Sequence, residues 1–172
     1  MRYKDANIEK CSEPIKEAVE KAVDENKGIF IYGNTGVGKT YFCHTLQNAK
    51  KGTVENFVSL LYEFRDYIQS GFYNVKMKEM CDVDYLIIDD IGAEKTSDFV
   101  VEFLYTIVNR RYENMKRTVL TTNLQLPDFE KRYGDRVLSR ISEMCVMVEL
   151  TGDDKRLNNE KRIAPITSYK DN

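Results

Sequence analysis

The sequence contains no tryptophan, one histidine, three prolines and nine glycines among its 172 residues. So few prolines and glycines exclude a collagen-like or low-complexity chain. No apolar run approaches the ~20 residues that a membrane-spanning helix needs. The first ten residues, MRYKDANIEK, also lack the apolar segment of a secretory signal. We therefore expect a cytoplasmic protein that has no contact with a membrane.

The sequence also lacks cysteines or histidines at the close paired spacing of zinc ligands. The four cysteines stand at positions 11, 43, 81 and 145, no two form a C-x-x-C pair, and the one histidine is His44. Structural zinc usually needs four Cys or His ligands in close pairs, so the sequence argues against a zinc site. Two disulfides are an alternative, but a cytoplasmic chain of this size favours free and mostly buried thiols.

What is present is enough apolar material for one domain, with charge distributed unevenly along it. Hydrophobic residues make up 42% of the chain, and the net charge is only −2. Residues 55–102 nevertheless carry 11 acidic and 4 basic side chains, whereas residues 103–140 carry 8 basic and 4 acidic ones. Either these are solvated helix faces, or a basic face meets a polyanion or the acidic face of another copy.

Apolar periodicity predicts strands that alternate with helices. We predict strands at 29–32, 54–57, 85–88, 118–122 and 145–150, and helices from Ser12 to about Asn26, at 39–48, at 59–69 and over 99–108. In the first helix the apolar stripe consists of Ile15, Ala18, Val19, Ala22 and Val23. This alternation indicates an α/β fold with a mainly parallel sheet.

A glycine-rich loop, GNTGVGKT from Gly33 to Thr40, follows the first predicted strand and precedes a helix. It fits the pattern G-x-x-x-x-G-K-[ST], whose glycines allow a tight turn that directs backbone N–H groups at phosphate oxygens. The helix N-terminus adds partial positive charge. Lys39 would reach the β- and γ-phosphates, and the Thr40 hydroxyl would ligate Mg²⁺.

Two carboxylates end the strand YLIIDD, Tyr85 to Asp90. In a parallel sheet, ligands bind at the carboxyl ends of the strands, where these side chains would lie. Asp89 would hold Mg²⁺ through water, and Asp90 would orient or deprotonate an attacking water. The strand VLTTN, residues 119–123, should end beside them and bring Asn123 near the γ-phosphate.

These segments resemble the AAA+ ATPases of the DnaC/DnaI-type helicase-loader branch, which includes IstB-type transposition ATPases. The resemblance is carried by GNTGVGKT, LIIDDIGAEKTSDFVVEFLYTIVNRRY, TVLTTNL, YGDRVLSRI and LTGDDKR, over about residues 13–157. It implies one P-loop NTPase domain over residues 1–172, an αβα sandwich with sheet order 5-1-4-3-2. It also implies a minimal lid, a tail at 158–172 and ATP bound between adjacent subunits.

The resemblance further implies roles for single residues. Asn123 falls on the sensor-1 position, and Arg140 falls on the arginine finger that reaches the γ-phosphate of a neighbouring subunit. Arg136 would share the face of Arg140, and Arg156 matches a late arginine that contacts phosphate in its own subunit. The nucleotide would contact Gly33, Asn34, Thr35, Gly36, Val37, Gly38, Lys39, Thr40, Tyr41 and Arg156.

Two features depart from the family pattern. Only about 12 residues precede the first predicted helix, whereas loaders usually carry an amino-terminal helicase-binding domain there. Position 90 is Asp, where the wider AAA+ superfamily commonly has Glu. Loaders bind single-stranded DNA, and Lys76 and Lys78, near Phe72 and Tyr73, are the candidate contacts.

The sequence thus favours a Mg²⁺-dependent ATPase that loads a replicative helicase, binds single-stranded DNA and assembles head-to-tail. One alternative is an IstB-like ATPase that acts on duplex DNA and directs a transposase. Another is a small-molecule P-loop kinase, although the TTN strand and the IDDIGAEK segment fit that class poorly. A purely nucleotide-binding scaffold is disfavoured because Lys39, Thr40, Asp89 and Asp90 are all intact.

Overall fold

A computed structural model describes residues 3–49 and 52–154 of the chain. Helices and strands alternate along this part of it, and a short 3-10 helix, Ile8–Lys10, precedes them. The elements are α1 (Glu13–Asp24), β1 (Gly28–Gly33), α2 (Lys39–Asn48), β2 (Val54–Asn56), α3 (Phe57–Ser70), α4 (Tyr73–Asp82), β3 (Tyr85–Ile91), α5 (Asp98–Glu113), β4 (Arg117–Thr122), α6 (Leu126–Tyr133), α7 (Asp135–Met144) and β5 (Cys145–Leu150).

The five strands form one parallel sheet in the order β2-β3-β4-β1-β5. Read from the opposite edge, this is the predicted order 5-1-4-3-2, which is therefore confirmed. Strand β1, inside the sheet, pairs with β5 from Gly28↔Cys145 to Gly33↔Leu150, and with β4 at Ile31↔Thr121. The carboxyl ends of β1, β4 and β3 consequently lie side by side.

Helices cover both faces of the sheet, because alternate side chains of each strand point to opposite sides. Ile29, Ile31, Ile87 and Val119 pack with α1 and α2 on one face. Phe30, Leu86, Ile88 and Leu120 pack with α3 to α7 on the other. Both faces are buried, so these strands are continuous apolar runs, as expected of a parallel sheet under two helical layers.

The first helix departs from its prediction at both ends. Pro14 lies in its first turn as predicted, but the Ser12 side chain makes no capping hydrogen bond, and the helix ends at Asp24. In its predicted apolar stripe, Ile15, Ala18 and Ala22 are buried, whereas Val23 is 61% exposed. Val23 follows Ala22 by one residue, so it lies about 100° around the helix from the buried line.

The predicted second strand is one residue too long, because Phe57 begins α3. The Asn56 side chain accepts a hydrogen bond from the Ser59 amide at 3.2 Å and so caps that helix. Helix α4 was not predicted, since only Met77 and Cys81 in it are buried and its apolar pattern is weak.

Two expectations from composition concern the core and the membrane. The four cysteines are buried thiols, as the sequence favoured. No helix among residues 3–49 and 52–154 has the length and apolar character that crossing a membrane requires.

Candidate nucleotide-binding site

The glycine-rich loop joins strand β1 directly to α2. Gly33, Gly36 and Gly38 have φ values of 123°, 79° and 116°, which L side chains rarely adopt. Gly38 occupies the N-cap position of α2 and provides no capping side chain. The helix dipole places partial positive charge at this end of α2, which suits an anion there.

Lys39 lies at the start of α2 with only 6% of its surface exposed. Its Nζ donates to the carbonyls of Gly33 at 2.8 Å and Asn34 at 2.6 Å, which closes the loop over itself. A lysine held by two neutral carbonyls can exchange them for phosphate oxygens, since bonds between two charged groups are stronger.

Strand β5 and the residues after it support the other side of the loop. The Asn34 amide donates to the Leu150 carbonyl at 3.3 Å, where β5 ends. A Cβ atom placed on Gly36 would lie 1.9 Å from Asp154 Oδ1, so the Asp154 carboxylate lies against the loop. Only glycine at position 36 leaves room for this approach.

The remaining predicted contacts belong to the loop itself and to the first turn of α2. Asn34 and Thr35 are exposed, Thr40 and Tyr41 are half-buried, and Val37 is buried in the core beneath α2. The Tyr41 hydroxyl accepts from the Asn7 amide at 3.3 Å and thereby holds the amino-terminal segment near the loop.

Asp89 is a buried carboxylate at the end of β3, with 6% of its surface exposed. Its Oδ1 accepts from the Thr121 hydroxyl at 2.5 Å and lies 3.7 Å from Cys43 Sγ. Cys43 is one helical turn after Lys39 and Thr40, so this contact brings Asp89 against the first turns of α2. Burial and the Asp89 charge raise the pKa of the Cys43 thiol well above its ordinary value, so the thiol stays protonated.

Asp90 has a left-handed backbone, with φ at 65°. The pairing of β3 with β4 shifts register between Ile88 and Ile91, so the two aspartates form a bulge. The Asp90 amide donates to Thr121 Oγ1 at 3.0 Å. The same hydroxyl thus binds the side chain of Asp89 and the backbone of Asp90.

Asn123 follows β4, the strand between the glycine loop and the acidic strand end. Its Nδ2 donates to Asp90 Oδ1 at 2.6 Å, and its side chain is exposed to solvent. The predicted neighbourhood of Asn123 and Asp90 is therefore present. Because β4 lies between β1 and β3, both side chains border the place where phosphates on the loop would end.

The predicted arginine finger is folded back onto its own chain. The Arg140 guanidinium lies over the rings of Tyr105, at 5.3 Å, and Tyr112, at 5.8 Å, both on α5. Its Nη1 donates to the carbonyl of Arg136, a residue exposed at the start of α7. Arg156 lies outside the described residues.

The candidate DNA-contacting lysines lie on α4, a helix more than 30 residues after the glycine-rich loop in the sequence. Lys76 pairs with Glu79 at 2.8 Å, and Lys78 is exposed. Phe72 is 56% exposed, but the Tyr73 ring packs edge-on against the buried Phe64 at 5.7 Å. Of the two aromatic candidates, only Phe72 presents its ring to solvent.

Sequence reasoning missed two groups beside this site. Thr121 was part of a noted strand, but nothing local indicated that its hydroxyl joins both aspartates. Glu94, Arg132 and Tyr133 form a hydrogen-bonded cluster beneath the turn that follows Asp90. Glu94 and Tyr133 belong to the quoted segments IDDIGAEK and YGDRVLSRI, but nothing local indicates that they pair, because Arg132 and Tyr133 are 38 and 39 residues from Glu94.

Comparison with known proteins places these features in a family. The model of the family described as "IstB-like ATP binding protein" matches residues 16–163. The chromosomal replication initiator protein DnaA of Lacticaseibacillus paracasei is 31% identical over 153 residues, which cover 83% of this chain and 32% of that protein. The putative ATP-binding protein of insertion sequence IS5376 from Geobacillus stearothermophilus is 26% identical over 82% of this chain and 59% of its own length.

Solved structures agree with this assignment. The DnaC helicase loader superposes with a TM-score of 0.75 at 26% identity, over 87% of this chain and 99% of that one. AMPPCP-bound DnaA from Aquifex aeolicus superposes with a TM-score of 0.68 at 25% identity, over 87% of this chain and 49% of that one. The fold is that of AAA+ P-loop ATPases, although the chain spans less than two thirds of its curated relatives. With a family model matched over most of its length, the chain belongs to the IstB-like ATP binding proteins.

Proposed function

We propose that this chain is a single-domain, Mg²⁺-dependent ATPase that acts in DNA replication as a loader of the replicative helicase. The observation that carries the ATPase assignment is the 2.6 Å bond between Asn123 and Asp90 at the sheet edge where the glycine loop lies. It puts a carboxylate and an amide together where a water could attack a bound γ-phosphate. The likeness to the DnaC helicase loader supports the process.

In this proposal the loop binds the phosphates and the acidic strand end provides the reacting water. Residues 33–41 cradle the nucleotide, with Lys39 leaving the two loop carbonyls for the β- and γ-phosphates. Asp90 orients or deprotonates the water, and Asn123 holds the Asp90 carboxylate in place. Arg156 would contact phosphate within its own subunit.

The oxygen ligands present suit magnesium. Mg²⁺ keeps several waters and is usually bound by one or two protein oxygens together with substrate phosphates. The Thr40 hydroxyl and the Asp89 carboxylate provide such oxygens, the latter fixed by Thr121. Within the described residues there is no group of three or more His, Cys, Asp or Glu that could cage a metal alone. When bound, the ion neutralises charge on the β- and γ-phosphate oxygens.

Arg140 acts as an arginine finger on the nucleotide of a neighbouring subunit, with Arg136 at the same face. Such a group can contribute about 10³–10⁵ in rate, so hydrolysis depends on head-to-tail assembly. The guanidinium must then leave the faces of Tyr105 and Tyr112, contacts that are worth about 0.5–2 kcal/mol.

Single-stranded DNA binds across α4 in this proposal. Lys76 and Lys78 would contact phosphates, and Phe72 offers an exposed ring for base stacking. Phosphate contacts release counterions, so the affinity should fall steeply as salt is added. A flat salt response would contradict a groove that follows the DNA backbone.

The second candidate function is an ATPase that directs a transposase on duplex DNA. It is favoured by the family model and by the likeness to the IS5376 ATP-binding protein. Stimulation of hydrolysis by duplex DNA alone would select it over the loader, which should respond to single strands or to a replicative helicase. Turnover that no DNA changes would instead favour a small-molecule kinase.

Mixing two inactive variants tests the ATPase and the finger together. Lys39→Ala cannot hold the phosphates but keeps Arg140, whereas Arg140→Ala binds ATP but provides no finger. We expect each variant alone to lose nearly all hydrolysis and the mixture to regain part of it, because one copy provides the finger and the other the nucleotide. Phosphate release measured across protein concentration checks this.

The matched control mixes Lys39→Ala with the double variant Lys39→Ala/Arg140→Ala, which leaves no intact loop and should stay inactive. An Arg140→Ala protein as active as wild type under assembling conditions would contradict the finger. A wild-type protein that binds ATP without hydrolysing it would contradict the ATPase.

A further inference from the structure

A buried carboxylate lies just beyond the acidic strand end. The side chain of Glu94 is only 5% exposed, although the residue belongs to the turn that follows β3. It accepts hydrogen bonds from the Gly92 amide at 2.9 Å, from Arg132 Nη2 at 3.0 Å and from the Tyr133 hydroxyl. A carboxylate this buried is costly unless it is paired, and these three donors provide the pairing.

Arg132 also binds the backbone of the same turn. Besides its ion pair with Glu94, its guanidinium donates to the carbonyl of Gly92 at 2.9 Å and to the carbonyl of Glu94. The turn Gly92–Glu94 is therefore held through both its amide and its carbonyl groups. We call Glu94, Arg132 and Tyr133 the Glu94 cluster.

Tyr133 anchors the cluster in the core. Its side chain is 2% exposed and packs on the Phe129 ring at 4.7 Å. Burial, followed by the hydrogen bond to Glu94, raises the pKa of the Tyr133 hydroxyl, so that it remains a donor across the ordinary pH range. The Glu94 carboxylate is thus hydrogen-bonded to a buried side chain of α6, Tyr133, and not to an exposed surface group.

The backbone beside this cluster is strained. Asp90 has φ at 65° and Gly92 has φ at 105°, on either side of the last residue of β3. A left-handed non-glycine residue persists only where its surroundings determine it from several sides. Thr121 on β4 and Asn123 just after it hold Asp90. The Glu94 cluster, through α6, holds Gly92, two residues further along the chain.

We propose that Glu94 and Arg132 are positioning residues that fix the Asp90 carboxylate where it orients or deprotonates the water that attacks the γ-phosphate. The inference rests on the proposed ATPase function and goes beyond it. Neither side chain needs to touch the nucleotide, because both act through the backbone at Gly92. Asn123 binds the same carboxylate directly, so the two supports should depend on one another.

The substitution Glu94→Gln tests this with little change of shape. The amide keeps an acceptor for Tyr133 but loses the charge that holds Arg132. We expect kcat to fall about 10–100-fold, the range that a small misplacement of a catalytic group can cause. The dissociation constant for ATP should stay within about twofold, because the glycine loop is untouched.

Two controls separate positioning from general destabilisation. Glu13→Gln makes the same change in the exposed ion pair with Lys16, outside the proposed sites, and should leave kcat unaltered. Amide exchange of Gly92 gives a readout without turnover, and Glu94→Ala should speed it because the acceptor of that amide is removed. Thermal unfolding identifies any variant that has lost its fold.

A double-mutant cycle decides whether both supports act on Asp90. If both supports act on Asp90, the double variant Glu94→Gln/Asn123→Ala should lose less kcat than the product of the two single-variant losses, since both substitutions disturb one carboxylate. Unchanged kcat in Glu94→Gln, an equal fall in ATP affinity, or losses that multiply independently would each overturn the inference. A wild type without hydrolysis would instead overturn the proposed function itself.

Discussion

At the scale of single residues, Asp90 shows the conflict between stability and chemistry most clearly. Its φ of 65° places an L side chain in the left-handed region, which costs about 1–2 kcal/mol relative to glycine. A glycine here would relieve the strain, but it would remove the carboxylate that Asn123 holds. The strain therefore accompanies a side chain proposed to act on water.

We predict that Asp90→Gly is more stable than Asp90→Ala by about 1 kcal/mol, because only the alanine keeps a Cβ in a left-handed conformation. Both variants should lose ATP hydrolysis, since both lack the carboxylate. Urea unfolding of the pair and phosphate release measure the two effects. Equal stability of the two variants would mean that the bulge relaxes when the aspartate is removed.

At the scale of elements, one buried arginine joins three of them. Arg111, at the end of α5, is fully buried. It donates to the Thr118 hydroxyl at 2.8 Å, to the carbonyls of Cys81 at 2.8 Å and Val83 at 2.9 Å, and to the Arg117 carbonyl at 2.6 Å. Burial lowers the pKa of Arg111 to about 10, so it is still charged at neutral pH. It connects α4, α5 and the start of β4.

Replacing this side chain should destabilise the fold without touching the proposed site. Arg111→Met leaves several buried carbonyls without donors, each at about 1–3 kcal/mol, so we expect unfolding at clearly lower urea concentration. The adjacent Arg110→Met, at a half-buried position, is the control and should change little. Folded Arg111→Met protein should bind ATP as wild type does. If Arg111→Met lost no more stability to urea than Arg110→Met, Arg111 would not be what connects these elements.

At the scale of the whole molecule, charge and assembly are connected. The acidic excess of residues 55–102 precedes the basic excess of residues 103–140, which contains Arg136 and Arg140. A head-to-tail neighbour would bring opposite charges together, and salt screens such contacts over about 10 Å at 0.1 M and about 3 Å at 1 M.

We predict that ATP-dependent assembly weakens as salt rises and that Arg136→Glu weakens it further at low salt. Lys21→Glu reverses a similarly exposed charge on α1, away from the proposed interface, and should have no effect. Sedimentation velocity across salt concentration measures both variants. If neither salt nor Arg136→Glu changed assembly, the charge-based interface would be wrong and an apolar interface would be indicated.

Much of the fold could be predicted because its signals are local. Apolar runs such as those at 29–32 and 145–150 became β1 and β5 with at most two residues of difference. The GNTGVGKT segment lies between a strand and a helix as predicted. Helix α4 escaped prediction because it buries only Met77 and Cys81, so it has no clear stripe.

The places of the five strands along the chain, the phosphate loop and the identity of the strand-end side chains could be read from the sequence alone, since each depends on neighbours along the chain. How these side chains are held depends on contacts between distant segments. The left-handed Asp90, the support from Glu94 and Arg132, and the seat of Arg140 on α5 join segments about 30 or more residues apart. Such contacts produce no periodic pattern in the sequence, because they depend on sheet register and helix packing rather than on local conformational preference.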